Sequence, residues 1–413
     1  MAVLEFLPDG LVWLFCILGC ITAFTSLLIF ASCAMNFYKF FLMPGHDLSR
    51  RYGRGSWAMI TGADGGQARL YAHEFAARGF NLILIGFPGI EKTKQECVRI
   101  FEENKNKDLS GMRARVSKEC LRNFAYPEAP SSNFASDAED AAVGTGQSGI
   151  LIKCIHADFS RAFREEEAFF EPIRNALSEI GEDNLAILMN VVGHRYGWIP
   201  YHEWPVKKIY DCITVKTLIQ VRLTHMCIPI FVRRKARNQH SAVVNITGQC
   251  QNPTWLFSVG QLDSWISLPF LSIYEAANAF SFYHSQSLYE EYKGQFDFLT
   301  IPPGAVYTEN TAPAFANATG AKLQACSQER FCANVIRFMG KVHGMHSGYW
   351  VHGFSMYAMG FNPFFANMIK KSTTMDTGRG IAKFFMEQAA RNPESIDYVP
   401  PPYVGLKRRG MEE

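Results

Sequence analysis

The sequence predicts an α/β fold, a doubly wound parallel sheet with an N-terminal transmembrane helix and an aromatic C-terminal extension. Three observations carry that expectation. Short apolar runs alternate with helical stretches from Ser56 to Gly304. A glycine-rich turn, TGADGGQA over residues 61–68, stands between the first of those runs and the first helix. The stretch from Gly10 to Tyr38 contains no charged residue.

The N-terminal stretch comes first in the chain. About 20 apolar residues suffice to cross a bilayer as a helix, and the apolar region of a cleaved signal is shorter, roughly 7–15 residues. Residues 1–45 are therefore read as an uncleaved anchor, with the small residues Ala31-Ser32-Cys33-Ala34 leaving cleavage as the alternative. Glu5 and Asp9 precede the run, whereas Lys39, Arg50, Arg51 and Arg54 follow it. By the positive-inside bias, the main domain is expected on the cytosolic or matrix side. Both the endoplasmic reticulum and the inner mitochondrial membrane remain open as locations.

After a short polar link (His46 to Gly55), SWAMITG reads as a strand feeding a turn, RLYAHEFAARG as a helix closed by Gly79, and NLILIG as the next strand. LIKCIHADFS, NLAILMNVVG, SAVVNITG and FDFLTIPPG supply four more strands, separated by helical segments. That alternation means parallel βαβ units. The domain is expected over 52–340 with two insertions. The first, about 107–148, is polar and longer than the 12–15 residues at which loops become functional or disordered. The second, about 251–267, carries Trp255 and Trp265 and reads as a docking surface. Residues 341–413 form the C-terminal extension. Its stretch from Gly353 to Ile369 is uncharged but broken by Gly360 and Pro363, so an interfacial or partner-contacting segment is expected, a covered core helix being the alternative. The tail YVPPPYVGLKRRGMEE is expected to be extended.

Composition narrows the function classes. Hydrophobic residues make up 48% of the 413 and charged ones 19%, ample for a sizeable core. The net charge of +3 is too small to argue for nucleic acid, and no basic stretch is interleaved with aromatics. The 11 cysteines include no C-x-x-C pair, which argues against a disulfide framework or a zinc site. They read as small core residues in a reducing compartment. His343 and His346 lie close together without further ligands nearby, so no metal is expected. The 33 Phe, 16 Tyr and 7 Trp suggest extra buried or lipid-facing surface.

In the turn Thr61-Gly62-Ala63-Asp64-Gly65-Gly66-Gln67-Ala68, glycines permit a tight bend and a close backbone approach to a pyrophosphate at the positive end of a helix. The whole segment TGADGGQARLYAHEFAARGFNLILIG resembles the first βαβ unit of the short-chain dehydrogenase/reductase superfamily, with its T-G-x-x-x-G-x-G pattern. The branch it is most similar to is the membrane-bound very-long-chain 3-oxoacyl-CoA reductase and 17-beta-hydroxysteroid dehydrogenase group. The likeness continues through ADFS, LMNVVG, VVNITG, IYEAANAF, LYEEY and PPGAVYT to SGYWVHG, covering about Tyr52 to Gly353 apart from the insertions. It implies a Rossmann-type fold and NADP or NAD as cofactor. The implied contacts are Thr61, Gly62, Gly66, Asp158 at the adenine, Asn190, Gly193, and the Pro303-Gly304 turn at the nicotinamide. Two departures weaken or remove that binding. The last glycine of the turn is Ala68, and the end of the second strand, Ile85-Gly86-Phe87-Pro88, offers neither an acid for the ribose hydroxyls nor an Arg for a 2′-phosphate.

The resemblance also implies a hydride transfer in which Tyr donates a proton, helped by Ser, Lys and Asn. A phenol with a pKa of about 10 needs a nearby ammonium to act near neutrality. Here the Tyr is Tyr274, but the Lys position holds Asn278, the Ser position Gly248 and the helix Asn position Lys216. Losing one preorganised donor costs about 10²–10³ in rate. Thr247 adjoins the vacant Ser position, but its side chain should leave the opposite face of the strand. Lys216 is the candidate compensating cation for Tyr274; otherwise Tyr274 is a packed aromatic residue.

The expected function is a catalytically inactive or impaired member of this superfamily, serving as a structural or accessory subunit of a membrane protein complex, in the mitochondrial inner membrane as one option. Its partners would be the lipid bilayer and membrane proteins, with no nucleic acid and no metal. The alternative is an active NADPH-dependent 3-oxoacyl-CoA or ketosteroid reductase of the endoplasmic reticulum. A third reading is a sensor that binds a dinucleotide without turning it over.

Overall fold

A computed structural model of the chain describes residues 9–106, 149–193, 200–248, 270–304, 306–308, 325–353 and 383. The insertions expected near 107–148 and 251–267, and nearly all of the extension beyond Gly353, lie outside the described residues. Helix α1 (Asp9–Phe37) runs into a π turn (Tyr38–Leu42), and the short helix α2 (Leu48–Tyr52) follows. The core then alternates β1 (Trp57–Thr61), α3 (Gly66–Ala77), β2 (Asn81–Gly86), α4 (Ile90–Asn104), β3 (Ile152–His156), α5 (Glu166–Ile180) and β4 (Leu185–Asn190). Helices α6 (Val206–Ile213) and α7 (Ile219–Ala236) are joined by a π turn (Thr214–Leu218) and lead to β5 (Ala242–Ile246). Helix α8 (Ser272–Glu291) precedes β6 (Asp297–Ile301), then come β7 (Val306–Tyr307), β8 (Cys326–Ser327), α9 (Gln328–Phe338) and β9 (Gly344–Met345).

Seven strands form one parallel sheet in the order β3-β2-β1-β4-β5-β6-β9. The first six are the six apolar runs expected from the sequence. β9 adds a two-residue edge, and β7 pairs with β8 apart from the main sheet. The central strands β1, β2, β4, β5 and β6 are almost wholly buried because both faces are covered, whereas edge strand β3, IKCIH, is only partly buried. Ala58 and Ile60 of β1 pack with Tyr71, Ala72 and Phe75 of α3 on one side. Trp57 and Met59 pack with Phe170, Ile173 and Leu223 on the other. The period of two along each strand thus feeds two cores. On α4 the buried Ile90, Thr93, Cys97 and Phe101 follow helical spacing along one face.

Gly10–Leu42 is one continuous helical stretch of 33 residues, long and apolar enough to cross a membrane, with none of its apolar window buried in the protein. The stretch 206–236 is also long and apolar, but half of it is buried against the sheet. Cys97, Cys212, Cys227, Cys326 and Cys332 are buried core residues, while Cys16 and Cys20 are exposed on α1.

The link after this helix is not a loose polar tether. Leu48 and Tyr52, four residues apart on α2, are both buried. Arg51 reaches Asp297 through two hydrogen bonds of 2.7 and 2.8 Å, and the Tyr52 hydroxyl donates to the same carboxylate at 2.7 Å. Burial opposes ionisation of Asp297, yet the bonds from Arg51 and Tyr52 outweigh it and hold the carboxyl below its ordinary pKa. Arg234 adds a bond from Nη2 to the Tyr52 carbonyl, 3.1 Å.

Candidate functional site

Strand order reverses between β1 and β4, and ligands of doubly wound sheets bind outside the carboxyl ends of strands at such a point. Thr61, Asp158, Asn190 and the Pro303-Gly304 turn stand at or just beyond the carboxyl ends of β1, β3, β4 and β6. Thr61, the last residue of β1, accepts hydrogen bonds at Oγ1 from the Val191 and Val192 amides, 3.0 and 3.1 Å, and so pins the segment leaving β4 to the turn. Gly62 and Gly66 take φ of +71° and +53°, conformations that a side chain would strain. A Cβ on Gly65, Gly66 or Gly193 would meet no described atom within 4 Å, so this wall of the cleft is bare backbone at the start of α3. Such a cradle suits a pyrophosphate. The Ala68 methyl is buried in the core with Tyr71 and Ala72.

Asp158 is exposed, and its Oδ1 accepts from the Ser160 amide and hydroxyl at 3.0 and 2.8 Å, capping a short turn beyond β3. Asn190 ends β4 and donates through Nδ2 to Asn245 Oδ1 at 2.8 Å and to Thr224 Oγ1 at 3.3 Å. Asn245 donates in turn to Ser285 Oγ at 2.9 Å, which Gln220 Nε2 also reaches at 3.0 Å. Ser281 Oγ donates to the Lys216 carbonyl at 2.7 Å. This buried chain locks α8 onto the π turn that presents Lys216. The sequence did not single out Asn245, Ser281 or Ser285; the spacing of four that puts both serines on one face of α8 was the available signal.

Lys216 and Tyr274 come together. Lys216 is buried, and its Nζ stands 5.2 Å from the centroid of the Tyr274 ring, a cation–π distance. One turn further along α8, Asn278 is 1% exposed, and neither its Nδ2 nor its Oδ1 has a hydrogen-bond partner among the described residues. Its amide lies directly over Gly248. A Cβ at Gly248 would overlap Asn278 Nδ2 and stand 2.8 Å from Oδ1. Gly248 and Asn278, where the resemblance expects a Ser and a Lys, therefore share one volume: the amide fills the room that a serine side chain would need. Thr247 is buried, and its Oγ1 has no partner among the described residues either. Chemically, the site holds a phenol beside an ammonium, with a glycine where a hydroxyl would polarise a carbonyl.

Gly304 is set by a residue that the sequence did not suggest. His352 is fully buried, and its ring would stand 2.6–2.8 Å from a Cβ at Gly304, so the Pro303-Gly304 turn packs against an imidazole from the C-terminal segment. The sequence shows Asp64 only as part of the turn, yet its carboxyl sits over Gly86 at the end of β2. Among the described residues, no group of three His, Cys, Asp or Glu is arranged to hold a metal.

No family model matches the chain. It is 22% identical over 361 residues to a very-long-chain 3-oxoacyl-CoA reductase of Coccidioides immitis, spanning 86% of this chain and 82% of the relative. It is 26% identical over 314 residues to inactive hydroxysteroid dehydrogenase-like protein 1 of Pongo abelii, spanning 74% and 71%. Among solved structures, acetoin dehydrogenase from Enterobacter cloacae is similar at a TM-score of 0.48 and 16% identity, covering 72% of this chain and 95% of that one.

Proposed function

We propose, proceeding from its membership of the short-chain dehydrogenase/reductase superfamily, that this chain is a membrane-anchored member impaired in hydride transfer, which keeps a dinucleotide cradle and serves as an accessory subunit of a membrane protein assembly. The observation that carries the loss of activity is the Asn278 amide packed over Gly248. It leaves no hydroxyl to polarise a substrate carbonyl and no ammonium one turn beyond Tyr274. The similarity to a relative named as inactive supports the same reading. For the cofactor, the backbone at Gly65 and Gly66 with the start of α3 would hold the pyrophosphate, Asp158 lies on the adenine side, and Asn190 and Thr61 fix the floor. A bound nicotinamide would supply hydride chemistry; the chain's own residues bind and orient it. The long exposed apolar helix supports an anchor, and we place the main domain on the cytosolic or matrix side of the endoplasmic reticulum or inner mitochondrial membrane.

A second reading is favoured by one observation, the Lys216 ammonium against the Tyr274 ring. In it the ammonium eases proton donation by Tyr274 and the chain reduces a 3-oxoacyl-CoA or a ketosteroid with NADPH. One assay separates the two. The full chain in detergent is given NADH or NADPH with each substrate class, and its co-purifying proteins are quantified. Impairment predicts no turnover above buffer, no change in Lys216→Ala, and stoichiometric membrane-protein partners. Turnover that Lys216→Ala abolishes, from a monodisperse chain without partners, overturns the proposal.

A further inference from the structure

The second strand of this sheet ends in Gly86-Phe87-Pro88, without the acidic residue that grips ribose hydroxyls in dinucleotide-binding folds. The structure brings a carboxylate to that place by another route. Asp64 lies in the turn between β1 and α3, and its side chain folds over Gly86. A Cβ at Gly86 would overlap Asp64 Oδ1 and stand 3.1 Å from its Cγ. Gly89, three residues on, lies under the Asp64 carbonyl at 3.2 Å by the same measure. The turn is held in this pose from both sides. The Ala63 amide donates to the Ile85 carbonyl at 3.1 Å, and the buried Thr93 hydroxyl donates to the Ala63 carbonyl at 2.7 Å. Among the described residues, no hydrogen-bond donor engages the Asp64 carboxylate, and the side chain is half-exposed on the cleft side of the sheet.

The geometry points to Asp64 as the residue that reads the adenosine ribose, selecting a dinucleotide with free 2′- and 3′-hydroxyls over one carrying a 2′-phosphate. The inference rests on the cradle described above being a dinucleotide site. A carboxylate accepts from two vicinal hydroxyls, and such charge-assisted bonds are stronger than neutral ones. A 2′-phosphate in the same place would bring a second anion against it. The basic residues nearest in sequence do not offset that repulsion. Arg69 is turned to Glu96 at 3.9 Å, Lys94 to Glu91 at 3.6 Å, and Lys92 is exposed on α4. Phe87 and Pro88, at the strand end, carry no charge. Gly86 belongs to the device, since only a residue without a side chain lets the carboxyl settle there.

The test is direct binding of NADH and NADPH to the full chain in detergent, followed by energy transfer from tryptophan to the reduced nicotinamide, with no substrate present. Wild type should bind NADH at least about tenfold more tightly than NADPH, the scale of one or two hydrogen bonds to a charged acceptor. Asp64→Asn keeps the shape and removes the charge, and should bring the two affinities within about threefold. Gly86→Ala, which displaces the carboxyl, should narrow the preference in the same direction. Equal or tighter binding of NADPH by wild type, or an unchanged ratio in a folded Asp64→Asn, overturns the role of Asp64 and leaves the cradle standing. Failure of wild type to bind either dinucleotide overturns the cradle reading, and this inference with it.

Discussion

At Gly248 the chain leaving β5 passes beneath the amide of Asn278, and the two positions share one volume. A serine introduced at 248 alone drives its Cβ into that amide, an overpacking that typically costs about 1–3 kcal/mol. Removing the amide first removes the obstacle. We therefore expect Gly248→Ser to lower the melting temperature of the detergent-solubilised chain, and Asn278→Ala to cancel most of that loss when the two are combined. The coupling should fall in the range of about 0.5–3 kcal/mol seen for residues in contact; strictly additive melting shifts would remove the steric account. The replaced Ser and Lys positions were readable by alignment, because strand ends and helix spacing fix where those residues belong. Their mutual dependence was not, because 30 residues and an insertion separate a strand end from a helix that meets it only in the folded state. Asp64 was hidden in the same way, since nothing in the sequence ties it to Gly86.

Elements with long apolar runs or helical spacing were readable, and the short ones were not. β1 to β6 have five or six residues each, rich enough in apolar side chains to show themselves. β7, β8 and β9 have two residues each, too few for any period. The link after the N-terminal helix looks polar because Asp47, Arg50 and Arg51 dominate it, yet Leu48 and Tyr52 sit at helical spacing and are buried. Just beyond β9, His346 packs between Phe40 and Phe338, with ring centroids 5.2 and 4.7 Å away, and its Nδ1 donates to the Ser347 carbonyl at 2.7 Å. Burial, helped by the cations Lys39 and Arg337, pushes its pKa down to about 3. The ring is thus neutral in the folded chain, while the unfolded chain takes up a proton below about pH 6.5. Its contribution to stability is complete above that pH and shrinks as pH falls toward 3, by on the order of 2 kcal/mol at pH 5. His46, His73, His240 and His284 shift in the same direction, so the comparison must be with a variant. Melting curves between pH 7.5 and 5 should slope less steeply for His346→Gln than for wild type; parallel slopes would show that this imidazole is not held neutral.

On the scale of the whole molecule, the N-terminal apolar helix and the sheet are joined by packing as well as by chain. Phe40, at the end of the apolar helix, is 3% exposed, lies 5.3 Å from the Phe338 ring and receives a hydrogen bond at its carbonyl from Arg337. Met43, Leu48 and Tyr52 continue the same contact into the core. The boundary expected near residue 45 therefore falls inside a packed region that begins at Phe40, beside the exposed Tyr38 and Leu42. Burying a phenylalanine or a methionine is worth about 2–5 kcal/mol by truncation to alanine, a large share of the 5–15 kcal/mol that holds a typical domain. A chain beginning at Tyr38 should lose its affinity for vesicles yet keep the melting temperature of the full protein, whereas one beginning at His46 should melt well below both or fail to fold. The full chain should float with phosphatidylcholine vesicles in high salt and at alkaline pH, conditions that release proteins held by charge. If the chain from His46 melts with the chain from Tyr38, Phe40 and Met43 are not part of the domain; if the full chain washes off the vesicles, the helix is not a membrane anchor.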